Sequence, residues 1–395
     1  MFVSRSLIAM SSLFSALALL GCSTSCMSRR SMSPHSAEAT STKPAPRPIL
    51  YFASEGEGQG RELVIRAIHP DGRSLGTLAR GYLGGWSRQG DRFAYWMMIE
   101  ATQTAVVNVM DLGGRPEKVY GESGEKAFLG AGWKIWSPDG SMIALLLTGD
   151  DGRTFALAVV DVAKKKLVST FKLPRSVKPE SEEGPLDLLN VHVKWSPDGR
   201  KILVGSAALD LERNTWETIA DRSVIAEWLP GSDGVYFFEV ARQVGDLFLK
   251  KFGRNGAASV LTRSTLAGWG LAESAPLWAP VLKVSPSKSR LAIAARASPE
   301  EARTTVLAFD IAADRPGSLG EPAKRVRVDG ILVEMAWGPD ERQLAVLSLS
   351  PSGDLRVSVV DLDTGVSTSL AKAVHIEQLT DIDVVGILNT ISWCD

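Results

Sequence analysis

The sequence predicts an all-β chain folded as a β-propeller, and three observations lead there. A tryptophan-centred motif recurs along the chain. Each copy is followed by short apolar runs of strand length. Turn-forming residues separate those runs. The motif appears as Gly85-Trp86-Ser87, Ile135-Trp136-Ser137-Pro138-Asp139-Gly140, Lys194-Trp195-Ser196-Pro197-Asp198-Gly199, Glu227-Trp228-Leu229-Pro230, Lys283-Val284-Ser285-Pro286, Ala336-Trp337-Gly338-Pro339-Asp340 and Ser392-Trp393. Of the 11 tryptophans, six hold this slot, with Val284 standing in once, so the spacing is not accidental.

The successive steps are 50, 59, 33, 56, 53 and 56 residues. Each motif precedes a β-rich run such as Phe93-Ala94-Tyr95-Trp96 or Leu344-Ala345-Val346-Leu347, then a run ending in Asp such as Val359-Val360-Asp361, then a fourth short run. In Pro-Asp-Gly, proline fixes φ, aspartate bonds nearby amides and glycine takes positive φ, so the first two strands are joined tightly. Four antiparallel strands repeated about an axis build a propeller. The body opens on Ile49-Leu50-Tyr51-Phe52-Ala53-Ser54, which fits a second strand, and finishes on Thr390-Ile391-Ser392-Trp393, which fits a first. Joined, they complete a blade. That gives seven blades, the C-terminal strand closing the first. The alternative is six, because the 33-residue step could mark a degenerate unit.

The W-S-P-D-G signature resembles the TolB-type propeller repeat, related in plan to WD-repeat blades. The resemblance covers nearly all of 49–395 and implies a fold more than a function. The α/β domain that precedes the propeller in TolB has no counterpart.

Ahead of the body stand two further segments. Residues 1–21 read as a signal peptide: Arg5 is followed by an apolar run from Leu7 to Leu20, shorter than a comfortable membrane span. Leu19-Leu20-Gly21-Cys22 resembles the bacterial lipobox, which implies acylation of Cys22 and cleavage before it. Ser23 follows in place of Asp, which by the enterobacterial sorting rule implies the outer membrane. Residues 22–48 are rich in Ser, Thr, Ala and Pro and offer little to bury, so they are expected to form a disordered tether.

Charge is balanced, 44 Lys plus Arg against 45 Asp plus Glu, with no basic stripe interleaved with aromatics, so nucleic acid is not an expected partner. No catalytic motif, cofactor or metal is expected. Gly72-Arg73-Ser74-Leu75-Gly76 fits the serine-hydrolase pattern, but it follows Pro70-Asp71 in a hairpin where a strand-to-helix elbow is required. His35, His69, His192 and His375 lack ligand spacing. Asp361 and Asp363 read as a capped turn.

The expected function is non-catalytic binding: a membrane-anchored, monomeric envelope scaffold that engages a protein or a glycan. Its rivals are a lyase or hydrolase sited in the channel and a purely structural envelope component. Long connections at 121–132, 174–190, 264–280 and 371–388 share one face and form its natural recognition surface. Trp269 and Trp278 in the third are candidate anchors, or else pack on neighbouring blades. Lys194, Glu227 and Lys283 precede the motif aromatic in three successive units, so they should form an arc at one height around the axis. With His192 nearby, that arc is either a ligand-binding patch or an interblade ion network. Cys26 and Cys394 are a hypothetical disulfide pair, since closure of the ring brings the ends of the body together.

Overall fold

The computed structural model describes residues 47–393 apart from 57–61, 88, 100–103, 122–134, 149–154, 175–176, 178–192, 222–223, 240–245, 270–280, 296–300, 313–316 and 376–390. The signal peptide, Cys22, Cys26, the rest of the tether up to residue 46, Cys394, His192, Trp278 and most of the connections at 121–132, 174–190, 264–280 and 371–388 lie outside these residues.

Seven antiparallel sheets form the ring. Blade 1 is the composite: Ile391–Trp393 pairs with Ile49–Glu55, which pairs with Glu62–Ile68, which pairs with Ser74–Arg80. Blades 2 to 7 follow in order over 82–120, 136–172, 193–218, 224–261, 281–329 and 331–375. In blade 3 the innermost strand shrinks to the bridge between Trp136 and Ile143. The 33-residue step is no degenerate unit. Blade 4 is complete, in short strands of three to four residues: Val193–Trp195, Lys201–Val204, Ala207–Asp210 and Thr215–Thr218. The count is therefore seven.

The repeat encodes its first turn with more than Pro-Asp-Gly. Gly140 N–H donates to the Ser137 carbonyl at 2.9 Å, and Gly199 N–H to the Ser196 carbonyl at 2.9 Å, each glycine at φ of 73°. The serine hydroxyl locks the turn from inside. Ser137 Oγ donates to Asp139 Oδ1 at 2.5 Å and accepts the Met142 N–H at 2.9 Å. Ser196 Oγ does the same with Asp198 at 2.6 Å and the Lys201 N–H at 2.8 Å. Burying that hydroxyl without a partner would be costly, so the serine and aspartate act as a unit. Blade 7 carries glycine in the serine slot for a steric reason: a Cβ on Gly338 would sit 3.0–3.1 Å from the Trp393 ring.

Apolar clusters fill the junctions between blades. Leu50, Ile65 and Ala67 of blade 1 meet Trp86, Phe93 and Tyr95 of blade 2. Blades 3 and 4 share Leu157, Val193 and Ile202; blades 4 and 5 share Leu203, Trp228 and Phe237. Blades 5 and 6 share Tyr236, Phe238, Leu282 and Phe309; blades 6 and 7 share Val306, Met335 and Val346. The motif indoles span these junctions as donors. Trp136 Nε1 bonds the Gly85 carbonyl at 3.1 Å, Trp195 the Ile135 carbonyl at 2.9 Å, Trp228 the Lys194 carbonyl at 3.0 Å and Trp337 the Lys283 carbonyl at 3.2 Å. In each case the acceptor is the residue just before the motif aromatic of the preceding blade. Two motif indoles depart from this rule: Trp393 bonds the Arg47 carbonyl at 3.1 Å, within its own blade, and the buried Trp86 Nε1 makes no hydrogen bond among the described residues.

The closing strand is short and wholly buried, so its one large side chain carries much of the seal. Trp393→Ala should destabilise the protein by about 3–5 kcal/mol, the usual range for a buried Trp cut to Ala. Chemical denaturation checks this; a midpoint unchanged from wild type would show that blade 1 does not depend on its C-terminal strand.

Candidate functional site

The axis of the ring is where the sequence placed its charged arc. Lys194, Glu227 and Lys283 lie on the innermost strands of blades 4, 5 and 6, and each side chain is fully buried. Lys194 Nζ lies 2.8 Å from Glu227 Oε1 and also donates to the Ala226 carbonyl at 2.6 Å. Lys283 pairs elsewhere: its Nζ lies 2.7 Å from Glu334 Oε1 of blade 7. Glu334 also accepts the Met335 N–H at 2.8 Å. The arc thus has four members of alternating sign on four consecutive blades.

Glu334 escaped the sequence reading because it stands three residues before Trp337, not one. On a strand it shares a face with Ala336, the residue that holds the expected slot. From Glu334 to Trp337 the pairing with the second strand is regular, and the register shift falls just before it, between Leu332 and Glu334. A signal was available: Glu334 is the only charged residue in the otherwise apolar run Ile331–Trp337. A carboxylate in such a run needs a partner.

Burial dominates the electrostatics. It pushes the Lys194 ammonium below its ordinary value against the pull of Glu227. It raises the Glu334 carboxyl against the pull of Lys283. Both shifts act against charge, and pairing opposes them. Glu227 Oε2 and Glu334 Oε2 accept no hydrogen bond among the described residues, and Lys283 Nζ meets Glu334 by charge and distance without a well-aligned hydrogen bond. The arrangement balances charge but leaves polar capacity unmet.

Trp269 ends a short helix, α1 (Arg263–Gly268), an element the sequence reading did not anticipate. Its indole donates to Glu321 Oε2 at 2.6 Å and its ring lies 5.4 Å from Phe309. Half-buried against the cluster of blades 5 and 6, it packs on its own and the neighbouring blade.

On the tight-turn face, an open groove of about 730 Å³ separates blades 3 and 4. Met142, Val168, Phe171, Trp195 and Leu211 give it apolar walls, and the turns bearing Pro138 and Pro197 form its lip. The acids there are engaged locally: Asp139 is held low by its hydrogen bonds to Ser137 and Ser141, and Asp198 by those to Ser196 and the Arg200 amide, in each case against burial. Ser74 sits in a hairpin and accepts the Gly76 N–H at 3.1 Å, as a turn serine does. Among the described residues no group of three or more His, Cys, Asp or Glu is placed to hold a metal ion.

On the opposite face, His375 Nδ1 lies 2.9 Å from Asp354 Oδ1, and Lys372 Nζ lies 2.7 Å from the same oxygen. These hydrogen bonds, that of Lys372 foremost, hold the Asp354 carboxyl at about 2.

No protein-family model matches the chain, and no curated protein matches it in sequence. Solved structures do. The chain is similar to the β-propeller domain of the Trilobed protease from Pyrococcus furiosus, with 11% identity over 83% of this chain and 97% of that one, at a TM-score of 0.54. It is similar to an oligogalacturonate lyase in complex with manganese, with 14% identity over 83% of this chain and 86% of that one, at 0.53. TolB from Acinetobacter baumannii matches with 14% identity over 85% of this chain and 89% of that one, at 0.42. The first two likenesses show a β-propeller and, at such identities, nothing of its chemistry.

Two outcomes test the site. Glu227→Gln should cost about 3–5 kcal/mol, because it strands the Lys194 ammonium in the interior, whereas Lys194→Met with Glu227→Met should cost far less. Equal losses for the single and double variants, measured by urea denaturation, would contradict a paired network. Asp354 should titrate near 2 by NMR. Since its folded value lies below the unfolded one, its stabilising contribution is present above about pH 4 and is lost as pH falls through about 2. Lys372→Ala should raise that midpoint.

Proposed function

We propose that this chain is a lipid-anchored, non-catalytic binding propeller of the bacterial cell envelope, which holds a protein or glycan partner on the face that carries the long connections. The observation that supports it is the buried, self-paired arc of Lys194, Glu227, Lys283 and Glu334 on the innermost strands. Propeller enzymes that work in the channel need polar side chains open to a substrate. Here the four charged residues of the arc are spent on one another and shielded from water. Opposite charges paired across neighbouring blades need no ligand to account for them. The rigid ring then serves as a frame, and recognition falls to its loops. Diacylation at Cys22, the expectation drawn from Leu19-Leu20-Gly21-Cys22, supplies the anchor, since two or more acyl chains hold a bilayer far more firmly than one. No helix among the described residues is long and apolar enough to cross a membrane.

Crosslinking in cells with a membrane-permeant reagent, followed by mass spectrometry, is the direct test. The expected result is a recurrent partner, with crosslinks from Lys372 or other residues of the long-connection face. Turnover of a substrate abolished by Glu227→Gln in a protein that remains folded would overturn the non-catalytic reading. Cys22→Ser should release the protein from the membrane fraction; retention there would overturn the anchor.

A further inference from the structure

Five large apolar side chains are prominently exposed among the described residues, and four of them lie near the turn between the third and fourth strands of a blade. Leu112 (44% exposed) and Val366 (56%) are in that turn, and Leu75 (39%) and Val168 (52%) are the second and third residues of the fourth strand that follows it. The blades concerned are 1, 2, 3 and 7, which are consecutive around the ring. Single exposed aliphatic residues are ordinary on any protein, but four gathered toward one end of four consecutive blades are not. The fifth, Met97, stands near the far end of its strand, where Ile99 pairs with Thr104.

The register shows which face these four occupy. Ile49 pairs with both Trp393 and Ile68, and Ile68 pairs with Ser74, so the first residues of the body, the motif tryptophan and the Leu75 hairpin lie at one end of blade 1. Arg92 pairs with Asp111 and Gln343 with Asp361, which places the Leu112 and Val366 hairpins beside their first turns in the same way. The backbone thus enters the ring from the tight-turn face, where the Arg47 carbonyl accepts the Trp393 indole. Anything attached ahead of Arg47 hangs from that face.

We propose that the tight-turn face is a membrane-docking surface, with Leu75, Leu112, Val168 and Val366 set into the interfacial region of the phospholipid bilayer that holds the anchor. This rests on the reading of Cys22 as the lipidated residue. Three of the four have an exposed basic neighbour, Arg73, Arg115 and Lys166, of a kind that reaches headgroup phosphates while an aliphatic side chain goes deeper; Asp71 beside Arg73 and Asp111 beside Leu112 offset part of that charge. At the fourth, the acidic Asp363 is occupied by Lys324 at 3.1 Å and Arg342 at 3.8 Å. The apolar groove beside Val168 extends the same surface into the ring. Four shallow tips are a weak membrane anchor alone, but tethering makes docking an intramolecular event at high local concentration. The face that carries the Asp354–His375 contact then points away from the bilayer.

The test uses the full-length lipidated protein with Cys26→Ser and Cys394→Ser, reconstituted in phosphatidylethanolamine–phosphatidylglycerol vesicles that contain nitroxide-labelled lipid. An environment-sensitive fluorophore is placed at Leu112→Cys or Val366→Cys, and at Ser352→Cys on the opposite face. Quenching at 112 and 366 should exceed that at 352 at least fivefold. Equal quenching, stronger quenching at 352, or crosslinks between copies through position 112 would overturn the proposal. In a second variant, Leu75, Leu112, Val168 and Val366 are all serine and the fluorophore sits at Arg115→Cys. Quenching should be lost at an unchanged melting temperature; full quenching there would overturn the assignment of the tips. The acyl mass on the Cys22 peptide, read separately, reports on the anchor. If it is absent, the unlipidated body is added to the same vesicles: residual quenching at 112 supports docking without the anchor, and none overturns both.

Discussion

The ring depends on a hydrogen bond that runs from blade to blade. In four junctions the motif indole reaches back and donates to the carbonyl just before the motif aromatic of the preceding blade. That carbonyl belongs to an innermost strand, which has a neighbouring strand on one side only. The Ile135 carbonyl already accepts the Ala144 N–H at 2.7 Å, so the indole there adds a second hydrogen bond that ties one blade to the next. Its rings fill the wedge between sheets. Tryptophan combines such bulk with a donor, which suits the slot at these four junctions, whereas Trp86 fills it by packing alone. Where Val284 takes the slot, blades 5 and 6 rely on apolar packing of Ile225, Leu282 and their neighbours.

The charged arc brackets that same junction. One ion pair joins blades 4 and 5, the other blades 6 and 7. Buried ion pairs seldom stabilise more than well-packed apolar residues of equal volume. Their value lies in discrimination: a lysine facing a lysine, or a glutamate facing a glutamate, would be severely unfavourable. Alternating signs on four blades therefore favour one order of neighbours among modules whose apolar surfaces resemble one another.

Much of this was legible in the sequence because the repeat is a physical unit written several times. Trp, Pro, Asp and Gly each have a local reason to be where they are, so the blade boundaries and the composite blade emerge from spacing alone. The arc was legible as far as it kept a fixed offset from the aromatic. Glu334 stands two residues earlier on the same face of its strand, so a search fixed on the position just before the aromatic passes over it. The role of the motif serine was missed because a hydroxyl between an aspartate and an amide looks like any polar turn residue until the backbone folds back on it. Helix α1 was missed for a related reason: Arg263–Gly268 is too short to show a helical period. The tertiary fate of Trp269 was open, because an indole in a long connection reads the same whether it meets solvent or, as here, Glu321 and Phe309.

Closure by Ile391–Trp393 has a consequence for how the protein is made. Ile49–Glu55 is the earliest strand of the body to leave the ribosome, and its inner neighbour is among the last, more than three hundred residues later. Until then blade 1 presents a bare apolar edge, the kind of surface that invites pairing with other chains. Contacts of such sequence separation also form slowly. The nascent or translocating chain therefore passes through a long interval as an open arc, and its survival in that interval depends on whatever shields one short strand.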